Sequence, residues 1–304
     1  MPRVLRLRNT PPTRARTPPL RGAPLKAEVM IKLVLMKRFC FTDSSGILKS
    51  DRFFGTGLLI VRNVGDLGDK LYKNSQPPKA LVKTGKNRRI DTLLAQDKKD
   101  EVIQMLRGNY RFEMKFDHVG SQATLPYYER MVDIFLADSE NRFCVMMVDK
   151  QNPSFDGDGM GDAWETYTKY IAMLVVREMK NLPSDELCLI VDEITKPQNK
   201  PLSLEDTIMS KIREEVAKDT SLDFNNIFGA FTIESHSSLP MQLCDVLLGA
   251  VAYDYKKKSG LNSTRTEHKK EALVQKIRSA LGVSTLANEF TNSSKAYFDV
   301  FEGV

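Results

Sequence analysis

Two runs, "MKRFCFTDSSG" at residues 36–46 and "RFFGTGLLIV" at residues 52–61, decide how this chain folds. Each run is apolar and of strand length, and Ser44, Ser45 and Gly46 supply a turn between them, so the pair predicts a β-hairpin. The first run ends on a carboxylate, Asp43. An unpartnered ionised carboxylate costs several kcal/mol to bury, so something must compensate it.

Beyond the hairpin the elements alternate. "IDTLLAQDKKDEVIQMLRG" (90–108) has helical apolar spacing with Gly108 as its stop, while residues 62–89 read as polar loop. "YRFEMKF" (110–116) alternates strictly and predicts a third strand carrying Glu113. "PYYERMVDIFLADS" (126–139) predicts a helix with proline in its first turn, and "RFCVMMVD" (142–149) a buried strand. A helix over 162–180, a strand "LCLIVDEIT" (187–195), a helix over 203–217, a strand "IFGAFTIES" (227–235) and an apolar helix "LPMQLCDVLLGAVAYDY" (239–255) follow. A helix over 265–281 and a weaker segment close the chain, so residues 261–304 read as a helical extension on a domain of residues 36–260. A short meander followed by alternating strands and helices predicts an α/β fold, a mixed sheet flanked by helices on both faces.

The 304 residues are 41% hydrophobic, enough for a sizeable core. The net charge of +6 suggests an anionic partner, but Arg3, Arg6, Arg8, Arg14, Arg16, Arg21 and Lys26 all precede the first acid, Glu28. Subtracting these seven from +6 leaves −1 for the remainder, so the basicity belongs to a Pro/Arg-rich tail. Residues 1–35 are read as disordered, with translation expected to begin at Met30 or Met36; the prolines oppose the amphipathic helix of a targeting peptide. Cys40, Cys144, Cys188 and Cys244 each lie inside an apolar run at spacings unlike a zinc site, and read as reduced core residues of a cytoplasmic protein. No apolar segment is long enough to span a membrane, so no membrane partner is expected.

Four acids sit where an apolar element would do better without them: Asp43, Glu113, Asp192 at the end of "CLIVD", and Asp245 within the apolar helix. Each alone reads as a cap or an ion-pair member. Together they read differently, because strand carboxyl ends converge on one edge of such a sheet. Converging carboxylates repel unless a divalent cation neutralises them, and Mg²⁺ or Mn²⁺ suits an all-oxygen set. Two such ions can activate water and stabilise the leaving oxygen of a phosphodiester. Asp149, which also terminates a buried strand, rivals Asp192. Gln242, Asp245 and Gly249 form a narrow polar, small-residue face on their helix.

"FTDSSG", "FEMKF", "LIVDE" and "ESHSSLPMQLCDVLLG" follow the order and approximate spacing of domain-of-unknown-function family 3800, a ribonuclease H-like group, which residues 36–256 resemble. Ser44 stands where that family usually has Glu. The resemblance implies a ribonuclease H-like sheet, two Mg²⁺ or Mn²⁺ ions, and catalytic and metal-binding roles for Asp43, Glu113, Asp192 and Asp245. Lys115 would orient a phosphate, with Ser44, Ser237, Gln242 and His236 as polar companions.

Other motifs carry less. "DGDGMGD" (156–162) has Met160 and Tyr167 where a calcium loop needs oxygen ligands, and reads as a loop ending in a helix cap at Asp162. "KTGKNRR" (83–89) gathers Lys83, Lys86, Arg88 and Arg89 in a predicted loop able to meet nucleic-acid phosphates. The lysines of "YDYKKKSG" (253–260) suit a helix C-terminus. The expected activity is metal-dependent phosphodiester hydrolysis with nucleic acid as partner. The competing expectation is a non-catalytic binding or regulatory module of a mobile-element or defence system, favoured by the near-neutral folded part. Oligomeric state is not readable from these residues.

Overall fold

The computed structural model describes residues 36–46, 50–77, 79–107, 113–120, 123–153, 155, 162–261 and 267–303. The expectations for the tail of residues 1–35, for Gly108 and for residues 156–161 lie outside them.

The hairpin forms as its two runs predict. β1 (Met36–Ser45) pairs antiparallel with β2 (Phe53–Val61), and β3 (Arg142–Asp149) pairs antiparallel with β2. β4 (Asp185–Asp192) lies parallel to β1 on its other side, and β5 (Ile227–Ile233) parallel to β4. The whole is a seven-stranded mixed sheet ordered β5-β4-β1-β2-β3-β7-β6, in an α/β fold.

Side-chain alternation along β1 sorts two cores. Phe39 and Phe41 join one face, covered by α1 (Val64–Ser75), α4 (Leu125–Leu136), α7 (Leu239–Lys258) and α8 (Glu267–Leu281). Cys40, Leu187, Leu189 and Val191 join the other, covered by α5 (Ala163–Asn181) and α6 (Leu204–Val216). All four cysteines are buried free thiols. The α5 cap is the predicted one, Asp162 accepting the Glu165 N–H at 2.9 Å.

Several expectations are corrected. Glu113–Lys115 have no regular structure and Phe116–His118 make a 3₁₀ turn, so the described part of "YRFEMKF" is no strand. The predicted helix over 90–108 is broken at Asp97, whose φ is +56°, into α2 (Lys79–Ala95) and α3 (Lys99–Arg107). Residues 62–89 are largely helical. Asn63 caps α1, where Leu67 and Leu71 are buried one turn apart, and the "KTGKNRR" lysines and arginines lie in α2 rather than in a loop. That helix lacks an apolar stripe, so periodicity does not flag it, but it holds good helix formers and no proline.

The C-terminus is not an appended helical extension. After α8, β6 (Phe290–Asn292) and β7 (Tyr297–Gly303) complete the sheet, β7 running parallel to β3. Buried Asp254 on α7 ties this region in, accepting bonds from Arg278, the Thr285 hydroxyl at 3.0 Å and the Leu286 N–H at 2.5 Å. The described residues, all from Met36 onward, belong to one compact unit.

Candidate functional site

Sheet register brings two of the four acids side by side. β1 and β4 run parallel with Phe41 beside Ile190 and Thr42 beside Val191, so Asp43, two residues before the end of β1, comes level with Asp192, the last residue of β4. Both fall on the face that carries Phe41 and Ile190, the face on which α7 lies. α7 is seated directly over β1, its Cys244 thiol donating to the Phe41 carbonyl at 3.4 Å, which sets the next residue, Asp245, beside Asp43.

The polar face of α7 holds the third contributor. The Met114 N–H donates to Gln242 Oε1 at 2.9 Å, the Phe116 N–H donates to Asp245 Oδ1 at 2.7 Å, and the Phe116 ring fills the space that Gly249 leaves. Residues 113–118 are therefore strapped along α7 by alternate backbone N–H groups. Met114 and Phe116 turn inward to the core, while Glu113 and Lys115 project to the site edge. This explains the misleading alternation: an extended segment lying on a helix has the same two-residue period as a strand.

Lys115 Nζ pairs with Glu113 Oε1 at 3.1 Å, and the Ser235 hydroxyl donates to the same oxygen at 2.5 Å. Gln242 Nε2 donates to the Ser235 and His236 carbonyls at 3.4 and 3.3 Å, fixing the turn after β5. An open cleft of about 330 Å³ lies here, lined by Lys115, Asp192, Glu193, Thr195, Glu234, Ser235 and His236.

The electrostatics record the crowding. Asp43 is only 8% exposed. Burial first, then the facing charges of Asp245 and Asp192, push its carboxyl up to about 8, against the Ser44 N–H and Lys115. Burial pushes Asp245 up to about 6 against the Phe116 N–H and Lys115, and raises Asp192 against Lys115 and the Ser235 N–H. Burial opposes the charge of Lys115, but Glu113, Asp245 and Asp192 overcome it and raise its pKa. One cation thus faces four acids.

The remaining predicted residues separate clearly. Asp149 does not join the cluster: Arg52 grips it with bonds of 2.8 and 2.6 Å, which lower its pKa. Ser44 contributes its N–H to Asp43. His236 pairs with Glu234 at 3.2 Å on the cleft wall, whereas the Ser237 hydroxyl donates to the Glu234 carbonyl. Lys83 and Arg89 are exposed on α2 and Lys86 half-buried; the Arg88 side chain lies outside the description. Sequence pattern does not single out Ser235, Thr195, Glu193 or Glu234: within "ESHSS" the histidine is the chemically distinctive residue, whereas it is the Ser235 hydroxyl that bonds Glu113.

Among the described residues no group of three or more His, Cys, Asp or Glu side chains is arranged to hold a metal ion by itself. The donor set nevertheless suits Mg²⁺ or Mn²⁺. Such ions bind through one or two carboxylates and keep water or substrate phosphate as their other ligands, and the Asp43–Asp245 and Asp43–Asp192 neighbours offer such pairs. No helix among the described residues is long and apolar enough to cross a membrane. No protein-family model matches the chain, and no curated protein is found similar to it.

Proposed function

We propose that this protein is a divalent-metal-dependent phosphodiesterase acting on nucleic acid, with a ribonuclease H-like fold and a resemblance to domain-of-unknown-function family 3800. The observation that carries the reading is a buried carboxylate, Asp43, facing Asp245 and Asp192 at the carboxyl edge of a mixed sheet, with helices on both faces. Acids that repel one another at a cleft are costly unless a cation or proton is shared among them. Asp43 paired with Asp245 or with Asp192 would hold Mg²⁺ or Mn²⁺, with water or substrate phosphate as its other ligands and Glu113 nearby, and the ion would supply charge neutralisation and an acidified water.

The chain's own groups have definable tasks. Lys115, half-buried and held by Glu113, presents its ammonium to the cleft, where it can orient a phosphate. The Ser235 hydroxyl fixes Glu113, and Gln242 fixes both the strap and the turn around them. His236, paired with Glu234, lines the same cleft.

A second reading, a non-catalytic binding or regulatory module, is favoured by the charge of −1 after residue 27, since a nuclease gripping a long duplex carries a broader basic face. Cleavage separates the two. Wild-type protein with Mg²⁺ or Mn²⁺ is expected to cut DNA or RNA, and Asp43→Asn and Asp245→Asn to lose at least about 100-fold in rate, in line with removing a principal electrostatic group. Unchanged cleavage by both variants would overturn the phosphodiesterase reading, and no cleavage by wild type would favour the binding module.

A further inference from the structure

Two buried acids outside the site, Asp185 and Asp254, have locked partners. Arg38 and Arg278 are 6% and 9% exposed, and each is bonded to further neighbours, Arg38 to Glu140 and Arg278 to Glu271 and Gln275. A guanidinium fork so held leaves only by breaking several bonds together. Lys115 is held differently. Its side chain is 35% exposed at the open cleft, and among the described residues its ammonium makes one direct bond, the 3.1 Å ion pair with Glu113.

That loosely held ammonium nevertheless offsets the charge of Asp43, Asp245 and Asp192 alike. Its backbone is pinned while its side chain is not. The N–H groups of Met114 and Phe116, on either side, are bonded to Gln242 and Asp245, and α8 grips the strap further along, with Lys270 Nζ 2.7 Å from Asp117 and Lys269 Nζ 2.9 Å from the Gly120 carbonyl. Glu113 is secured independently, because the Ser235 hydroxyl donates to the oxygen that Lys115 pairs with. Breaking the Lys115 bond therefore leaves both strap and acid in place, and a flexible four-carbon stem lets the ammonium move between the acids and the cleft.

We propose that Lys115 is an exchangeable counter-ion of the Asp43, Asp192 and Asp245 carboxylates, displaced when a divalent cation binds them and thereby released to meet a substrate phosphate in the cleft. The proposal rests on the phosphodiesterase reading and deepens it, since it makes metal binding the event that frees the phosphate-orienting group. Charge requires the competition: an ammonium and a divalent cation repel one another and seek the same carboxylates. Until the exchange, Lys115 spares these crowded acids the cost of standing without a cation.

Calorimetric titration of Mn²⁺ into full-length wild type, Lys115→Gln, Lys115→Met and Lys115→Arg tests it. The two neutral variants should bind Mn²⁺ about 10- to 100-fold more tightly than wild type, as removing a like charge beside the ion predicts, and Lys115→Arg should stay close to wild type. The direction is diagnostic, because damage to the fold weakens a metal site. At saturating Mn²⁺, Lys115→Gln should nevertheless cleave nucleic acid more slowly than wild type. Unchanged or weaker binding by both neutral variants, with saturable binding by wild type, overturns the proposal alone. Cleavage by Lys115→Gln at the wild-type rate overturns the release to phosphate. Absence of binding by wild type and variants overturns the proposal together with the metal-dependent reading. Tighter binding by the neutral variants without cleavage by wild type overturns the phosphodiesterase reading and leaves the counter-ion standing.

Discussion

At the scale of single residues, the site is defined by what it costs. Asp43 sits in a place that favours the neutral acid, because burial and two facing carboxylates raise its pKa to about 8. Its folded pKa exceeds the unfolded value, so between about pH 4 and pH 8 the folded state holds the extra proton and stability falls as pH rises. Asp43→Asn, which can still accept the Ser44 N–H, should therefore stabilise the metal-free protein at pH 8 by about 1–3 kcal/mol, with the gain vanishing toward pH 4. Thermal unfolding in a chelator across that range checks it, and a pH-independent difference would show that Asp43 carries no raised pKa. Asp43, Asp192 and Asp245 were legible in the sequence because each interrupts an apolar element. Asp149 interrupts one equally well, and only Arg52, in the bend just before β2, explains why it stands apart. Ser235 was not legible, since nothing in "ESHSS" says which hydroxyl will face Glu113.

At the scale of elements, the strap of residues 113–118 on α7 links Glu113 and Lys115 to the sheet. It depends on a close approach: a Cβ at Gly249 would lie 2.3 Å from Phe116 Cβ and 2.5 Å from Cγ. Gly249→Ala should thus lift the strap, cost about 1–3 kcal/mol as overpacking does, and reduce activity through displaced Lys115 rather than through lost metal affinity. Urea unfolding with a parallel Mn²⁺ titration separates those effects; wild-type stability in the variant would contradict the strap. Gly249 is one end of a polar, small-residue face that is legible in the sequence. That face binds backbone, through Gln242 and Asp245, and a pattern along one helix cannot announce which segment will lie on it. The strands of the hairpin, β3 and β4 were legible because an unbroken apolar stretch forms the middle of each run. β7 was not, because buried Asp299 breaks its pattern; Arg177 of α5 at 3.0 Å and the Thr291 hydroxyl of neighbouring β6 at 2.6 Å compensate that charge.

At the scale of the whole molecule, the C-terminus belongs to the sheet and the site hangs on the opposite half of it. Phe298 of β7 packs against Phe135, Phe143 and Phe290, so this strand closes the core beneath β3. A chain ending at residue 288 should lose cooperative thermal unfolding and aggregate, because it exposes both that core and the edge of β3; a soluble truncation with a sharp transition would return residues 261–304 to the status of an extension. The α/β class was legible from alternating runs, whereas the strand order beyond β3 was not, since it depends on which edge the last residues reach. Among the described residues, acids from β1, β4 and α7 crowd together beside the cleft that Asp192 and Lys115 line, and the account stands on what that place holds. Calorimetric titration of Mn²⁺ into wild type and into Asp43→Asn tests it most directly. The account predicts saturable binding at millimolar concentration or tighter by wild type, weakened at least about tenfold, ~1.4 kcal/mol, in the variant. Absence of binding by wild type, or equal binding by both, would contradict it.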